Sequence, residues 1–277
     1  MNASDNDDLL ILDSVTRMDE RHRGKVLVAG SHGGAYAAYL AALGQLRGVI
    51  LNDAGGGQED AGIGGLPYLD EAGIAAATVS HRSARIGDGA DMLERGVISH
   101  VNRLAAAVGC KPGMTCAECA ALLEKADIPQ HPPPPKRESR FQLRANPGEP
   151  EVWGIDSASL VTPEDKDKIL IVGSHGQLLG GRPETALKHD AVAAVYNDAG
   201  NGIDGAGTSR LPALDARDIA AATVAHDSAR IGDARSSWDT GVVTHVNETA
   251  KAMGGKPGMT APAFVDAIAK ARAARSP

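Results

Sequence analysis

Aromatic side chains are nearly missing from this chain: two tryptophans, two phenylalanines and four tyrosines among 277 residues. A core must then be built from Ala, Val, Ile and Leu, and the 33 glycines imply tight turns and close backbone approaches. Cysteine is as scarce. Cys110, Cys116 and Cys119 all lie in the first half and give no disulfide framework. Cys116 and Cys119 form a C-x-x-C without the second pair that a zinc site needs. The surrounding "TCAECAALLEKA" reads as an amphipathic helix in which they are plain packing or surface thiols. Basic residues are outnumbered, 28 Lys and Arg against 35 Asp and Glu, for a net charge of -7. This argues against nucleic acid, which needs a positive surface to displace counterions, and gives no reason for a membrane partner. No apolar run approaches the ~20 residues of a membrane helix. The start, "MNASDNDDLL", lacks the basic and apolar regions of a signal peptide. A cytoplasmic location is the expectation.

The same sequence is present twice. "KVLVAGSHGG" aligns with "KILIVGSHGQ", "VILNDAGGG" with "AVYNDAGNG", and "IAAATVSHRSARIGD" with "IAAATVAHDSARIGD". The stretch from Asn52 to Thr115 matches Asn197 to Thr260 without a gap, and more than half of the positions are identical. A period this long is a domain rather than a solenoid repeat. Residues 1–126 and 156–277 are therefore read as two α/β repeats. Residues 127–155, with Pro132 to Pro135 and the charged stretch after them, read as a semi-rigid linker. A fused tandem most simply descends from a homodimer, so the halves are expected about a pseudo-twofold axis. A homo-oligomer of the whole chain is left open.

Within each copy, short apolar runs suited to buried strands alternate with helical stretches such as "AAYLAALGQL" and "LPYLDEAG". Such alternation implies a three-layer unit around a mostly parallel sheet. Gly-Ser-His-Gly follows the first strand, Asn52-Asp53 the second, and His81 with "SARIGD" the third. Ligands bind at that carboxyl edge in open parallel sheets.

The candidate chemistry is therefore Ser, His, Asp and Arg at one edge. Ser31 and Ser174 are candidate nucleophiles, His32, His81, His175 and His226 candidate bases, and Asp53 and Asp198 the orienters. The glycines after the histidine, Gly33 and Gly34, are candidate oxyanion donors. Arg85 and Arg230 suit bidentate capture of an anion, with Gly33, Asn52, Asp88, Asn197 and Asp233 completing the substrate contacts. The competing structural reading is an ion pair from each arginine to Asp88 or Asp233, and helix capping by those two aspartates. His32, Asp53 and His81 leave a divalent metal open, although no close metal motif is present. Neither a phosphate-binding G-x-x-x-x-G-K-[ST] nor a dinucleotide G-x-G-x-x-G occurs, so no nucleotide cofactor is expected.

An apolar strand ending in Ser-His-Gly, followed by one ending in Asp-Ala, is similar to the core pattern of caspase-like cysteine peptidases. In that pattern the nucleophilic Cys follows Asp-Ala. Gly55 and Gly200 stand there instead, so the resemblance carries no activity over. The residues point to an enzyme on a small polar or anionic metabolite, a hydrolase of an amide, imide or ester first, with an isomerase or racemase as the second form. A non-catalytic anion-binding protein is the rival from another class. The expected position of the site is near the interface of the repeats.

Overall fold

A computed structural model describes residues 8–19 and 22–274; the acidic start of the chain, residues 1–7, lies outside them. The chain divides into two compact units, Met1–Asp53 with Gly62–Lys136, and Ala54–Ala61 with Arg137–Pro277.

The first unit is built on β1 (Leu9–Leu12), β2 (Val26–His32), β3 (Gly48–Asn52), β4 (Ala75–Val79) and β5 (Ile98–Val101), in that spatial order. The first four are parallel and β5 is antiparallel to β4. The sheet is thus mixed, with an antiparallel edge on the expected parallel core. Alternation along β2 sends Leu27 and Ala29 to one face and Val26 and Val28 to the other. On the first face lie α1 (Ala35–Leu43) and α2 (Gly65–Glu71); Ala37, Ala38, Ala41 and Ala42 let α1 sit close to the strands. The second face carries α3 (Gly89–Arg95), α4 (Arg103–Ala107) and α5 (Cys116–Leu123), whose Met92, Ala105, Cys116, Cys119 and Leu123 fill that core. Asn102 caps α4, and Thr115 with Glu118 forms a capping box on α5.

In the second unit β6 (Arg140–Arg144), β7 (Val152–Ile155), β8 (Ile169–His175), β9 (Ala193–Asn197), β10 (Ala220–Val224) and β11 (Val243–Val246) are neighbours in sequence order. Strands β7 to β10 are parallel and both edges antiparallel. One face packs against α8 (Glu248–Ala252) and α9 (Ala261–Ala273), and the other against α6 (Arg210–Asp215). The helix α7 (Ala234–Thr240) contacts β7, β8 and α9.

The segment read as a linker is shorter than 127–155. Its prolines belong to the first unit, where Tyr68 Oη donates to Pro134 O at 2.6 Å and Lys136 lies 5.2 Å from the Tyr68 ring centre. Its charged end is sheet: Arg140 is paired with the buried Asp165, and its guanidinium lies over the Trp153 ring, tying β6 to the rest of the unit. Composition alone does not distinguish such a charged edge strand from a linker, because its partners are distant in sequence.

Candidate functional site

The connections after neighbouring strands leave towards opposite faces. The chain after β3 reaches α2 on one face, and the chain after β4 reaches α3 on the other. Asp53, directly after β3, and His81, two residues after β4, lie side by side at the carboxyl ends of neighbouring strands.

There the two side chains meet. The Asp53 Oδ1 atom accepts the His81 backbone N–H at 2.9 Å and lies 2.8 Å from His81 Nδ1. A carboxylate only accepts, so Nδ1 carries a proton, and the tautomer this selects has its lone pair on Nε2. In the second unit, Asp198 Oδ1 accepts the His226 N–H at 3.0 Å and lies 3.4 Å from His226 Nδ1. Both carboxylates are buried, while the His226 side chain is 30% exposed and that of His81 13%. Burial by itself would raise Asp198. Hydrogen bonds from the His226 ring, from Gly200 N–H and from the His226 N–H outweigh it and hold the carboxyl below its ordinary value.

Gly-Ser-His-Gly has a different role. It lies in an irregularity of β2, where Val28 pairs with Ile50 but His32 pairs with Asn52; β8 repeats this against β9. Gly30 is there because the "IGD" loop crosses it. Gly87 N–H donates to Gly30 O at 2.7 Å, and a Cβ on Gly30 would stand 2.5 Å from Asp88 N. Ser31 Oγ is buried and accepts Val15 N–H at 3.0 Å; Ser174 Oγ accepts Ala158 N–H at 2.9 Å. His32 Nδ1 accepts Gly34 N–H at 3.1 Å, and His175 Nδ1 accepts Gln177 N–H at 3.3 Å. Burial lowers His32 to about 4, so its ring is neutral at pH 7. Gly33 N–H donates to Asn52 O at 2.7 Å, so neither Gly33 nor Gly34 presents a spare donor for an oxyanion. Neither serine is hydrogen-bonded to a histidine.

The remaining expected residues are fastenings too. Asn52 and Asn197 are fully buried and donate to Ala84 O and Ala229 O. Asp88 and Asp233 cap α3 and α7. Arg85 pairs with Asp91 at 2.9 Å rather than Asp88, whereas Arg230 pairs with Asp233 at 2.8 Å and with Glu59 at 3.0 Å. Among the described residues no group of three or more His, Cys, Asp or Glu is placed to hold a metal ion.

Asp13-Ser14 and Asp156-Ser157 were not singled out by the sequence reading. They follow β1 and β7 at the same edges, and Ser14 and Ser157 each cap a 3-10 turn. Asp156 Oδ1 also accepts Ala234 N–H at 3.0 Å. The repeated "DS" after an apolar run was the available signal. Comparisons with protein-family models, curated proteins and solved structures find no match to this chain.

Proposed function

We propose that this protein is a small-molecule hydrolase whose working group is an Asp–His dyad, Asp53–His81 and its counterpart Asp198–His226. The single observation that carries this reading is the Asp53 carboxylate on His81 Nδ1 at 2.8 Å, at the parting of two strand connections. A dyad of this kind holds the tautomer in which Nε2 accepts a proton. His81 or His226 would take a proton from water as its oxygen attacks an amide, imide or ester carbonyl. The carbonyl–heteroatom bond then breaks, and the imidazolium returns the proton to the leaving nitrogen or oxygen.

Water replaces Ser31 and Ser174 as nucleophile in this reading because both hydroxyls accept backbone N–H groups, that of Val15 buried and that of Ala158 partly buried. A neutral substrate is favoured over an anion because Arg85 and Arg230 are already paired with carboxylates. We read the two units as copies of one ancestral unit, supported by the repeated residues and by the same irregular strand pairing in each sheet.

The test is hydrolysis of a panel of cyclic imides, small amides and esters by wild type, His81→Gln, His226→Gln and the double variant. The double variant should lose about 10²- to 10⁴-fold in rate on any compound that wild type cleaves. An unchanged rate in the double variant, or no cleavage of any compound by wild type, would overturn the reading.

A further inference from the structure

The loop after β9 differs from the matching loop after β3 at one position that has a polar side chain only in the second copy. Asn197-Asp198-Ala199-Gly200-Asn201-Gly202 matches Asn52-Asp53-Ala54-Gly55-Gly56-Gly57, so Asn201 stands where the first copy has Gly56. Asn201 has φ +58°, a left-handed conformation that glycine adopts without strain and asparagine tolerates. Its backbone is fully engaged: the N–H donates to Asp198 O at 2.8 Å, and the carbonyl accepts Gly207 N–H at 2.9 Å. The side chain is not. Asn201 Oδ1 is buried and has no hydrogen-bond partner among the described residues.

A buried carbonyl oxygen without a donor is costly, and native proteins rarely leave one. This one belongs to the residue next in the chain to one that holds the dyad carboxylate. Gly200, the residue before it, donates its N–H to Asp198 Oδ1 at 3.0 Å, on the carboxylate oxygen that also holds His226. The Gly200 Cα and the His226 ring also bracket the same point beside Gly55 of the second unit: a Cβ built on Gly55 would stand 3.2 Å from the former and 3.1 Å from His226 Nε2. The residue that carries the orphaned acceptor therefore follows directly on the one that packs beside the His226 ring.

We infer that Asn201 is a specificity-determining residue of the Asp198–His226 site, and that its Oδ1 receives the N–H of a neutral amide or imide substrate. This rests on the dyad reading above and narrows its substrate class. An ester, or an imide alkylated on nitrogen, has no hydrogen to offer and leaves Asn201 Oδ1 unpaired. The copy with Gly56 has no side-chain acceptor at this position.

Binding of succinimide and of N-methylsuccinimide is measured by titration calorimetry on wild type and on Asn201→Gly. The glycine variant keeps the left-handed backbone, as Gly56 does at φ +70° in the matching loop, and its melting temperature should not fall. Wild type should bind succinimide at least about tenfold more tightly than the methylated imide, and Asn201→Gly should lose that preference. Equal affinities in wild type, no binding of either imide at millimolar concentration, or a preference that survives in Asn201→Gly would each overturn the inference. Ring opening is followed separately. An N–H preference abolished by Asn201→Gly, with no ring opening by wild type, leaves Asn201 as a recognition residue and overturns the hydrolase reading.

Discussion

A serine hydroxyl that accepts a backbone N–H from a distant segment fastens the two, and Ser31 and Ser174 do this in the two units. Removing the acceptor leaves Val15 or Ala158 N–H unpaired, a cost of about 1–3 kcal/mol. Ser31→Ala and Ser174→Ala should therefore lower the urea midpoint while leaving any hydrolytic turnover per folded molecule intact. A loss of turnover without a loss of stability would restore serine as nucleophile. His32 gives a pH signature. Its folded value of about 4 lies below the unfolded ~6.5, so the unfolded chain takes up a proton first on acidification. Its contribution is complete above pH ~6.5, declines down to pH ~4, and amounts to no more than about 3 kcal/mol given that the ring is only partly covered. Asp198 acts in a lower window, with stability present above the unfolded carboxylate value and lost as pH falls through its depressed folded one. Denaturation between pH 7 and 4.5 should show a shallower slope in His32→Asn than in wild type; parallel slopes would contradict the assignment.

At the scale of elements, the two units part where the first has α1. The corresponding "GQLLGGRPETALKHD" has Gly180, Gly181 and Pro183 in place of the alanine-rich helix, and forms two 3-10 turns, Leu179–Gly181 and Pro183–Thr185. One residue answers the change. Gly65 faces α1, where a Cβ would stand 2.6 Å from that of Ala38, whereas its counterpart Arg210 is buried under the turns. The Arg210 guanidinium donates to Thr185 O at 2.6 Å, to Ala186 O and to His175 O at 3.2 Å, and its centre lies 5.0 Å from the Tyr196 ring centre. Carbonyls that a helix would satisfy internally are satisfied here by one cation. Arg210→Leu should cost about 3 kcal/mol, because two buried carbonyls and a partly buried one lose their donor at once. Both tryptophans, Trp153 and Trp238, lie in the second unit, so their fluorescence reads its unfolding directly. An unchanged midpoint would mean that the turns do not depend on Arg210. The central strands of each repeat were legible in short apolar runs and α2 in "LPYLDEAG", whereas β6 and β7 fell in the segment read as a linker. The 3-10 turns after β8 have a sequence signal in Gly180, Gly181 and Pro183 that the sequence reading did not use, whereas the buried arginine beneath them was not legible at all. That required knowing that Arg210, Thr185 and His175 become neighbours.

At the scale of the molecule, the boundary between units does not follow the repeat. Residues Ala54–Ala61 belong to the second unit, where Gln58 N–H donates to His226 O at 2.8 Å, Glu59 pairs with Arg230 and Gln58 Oε1 accepts from Ser236 Oγ at 3.2 Å. Residues 137–277 produced alone lack these partners. Tryptophan fluorescence should show that fragment unfolding at a lower urea concentration than the same unit in the intact chain, by about 1–3 kcal/mol. Equal midpoints would show that the loop adds nothing to the unit's stability. Among the described residues no helix is long and apolar enough to cross a membrane.

The sequence by itself determined the α/β class, the three central strands of each repeat, the repeated polar residues and the strand ends after which they lie. These follow from local patterns: periods of 2 and 3.6, caps, breakers and self-similarity. Tertiary structure alone decided which of those polar residues are fastenings and which face one another. Ser31 is fixed by Val15, Arg85 by Asp91 and Asn52 by Ala84, while Asp53 is left to hold His81. The physical reason is that a hydrogen bond depends on which groups lie within about 3 Å, and strand order and register, rather than spacing along the chain, set that distance across 28 residues from Asp53 to His81.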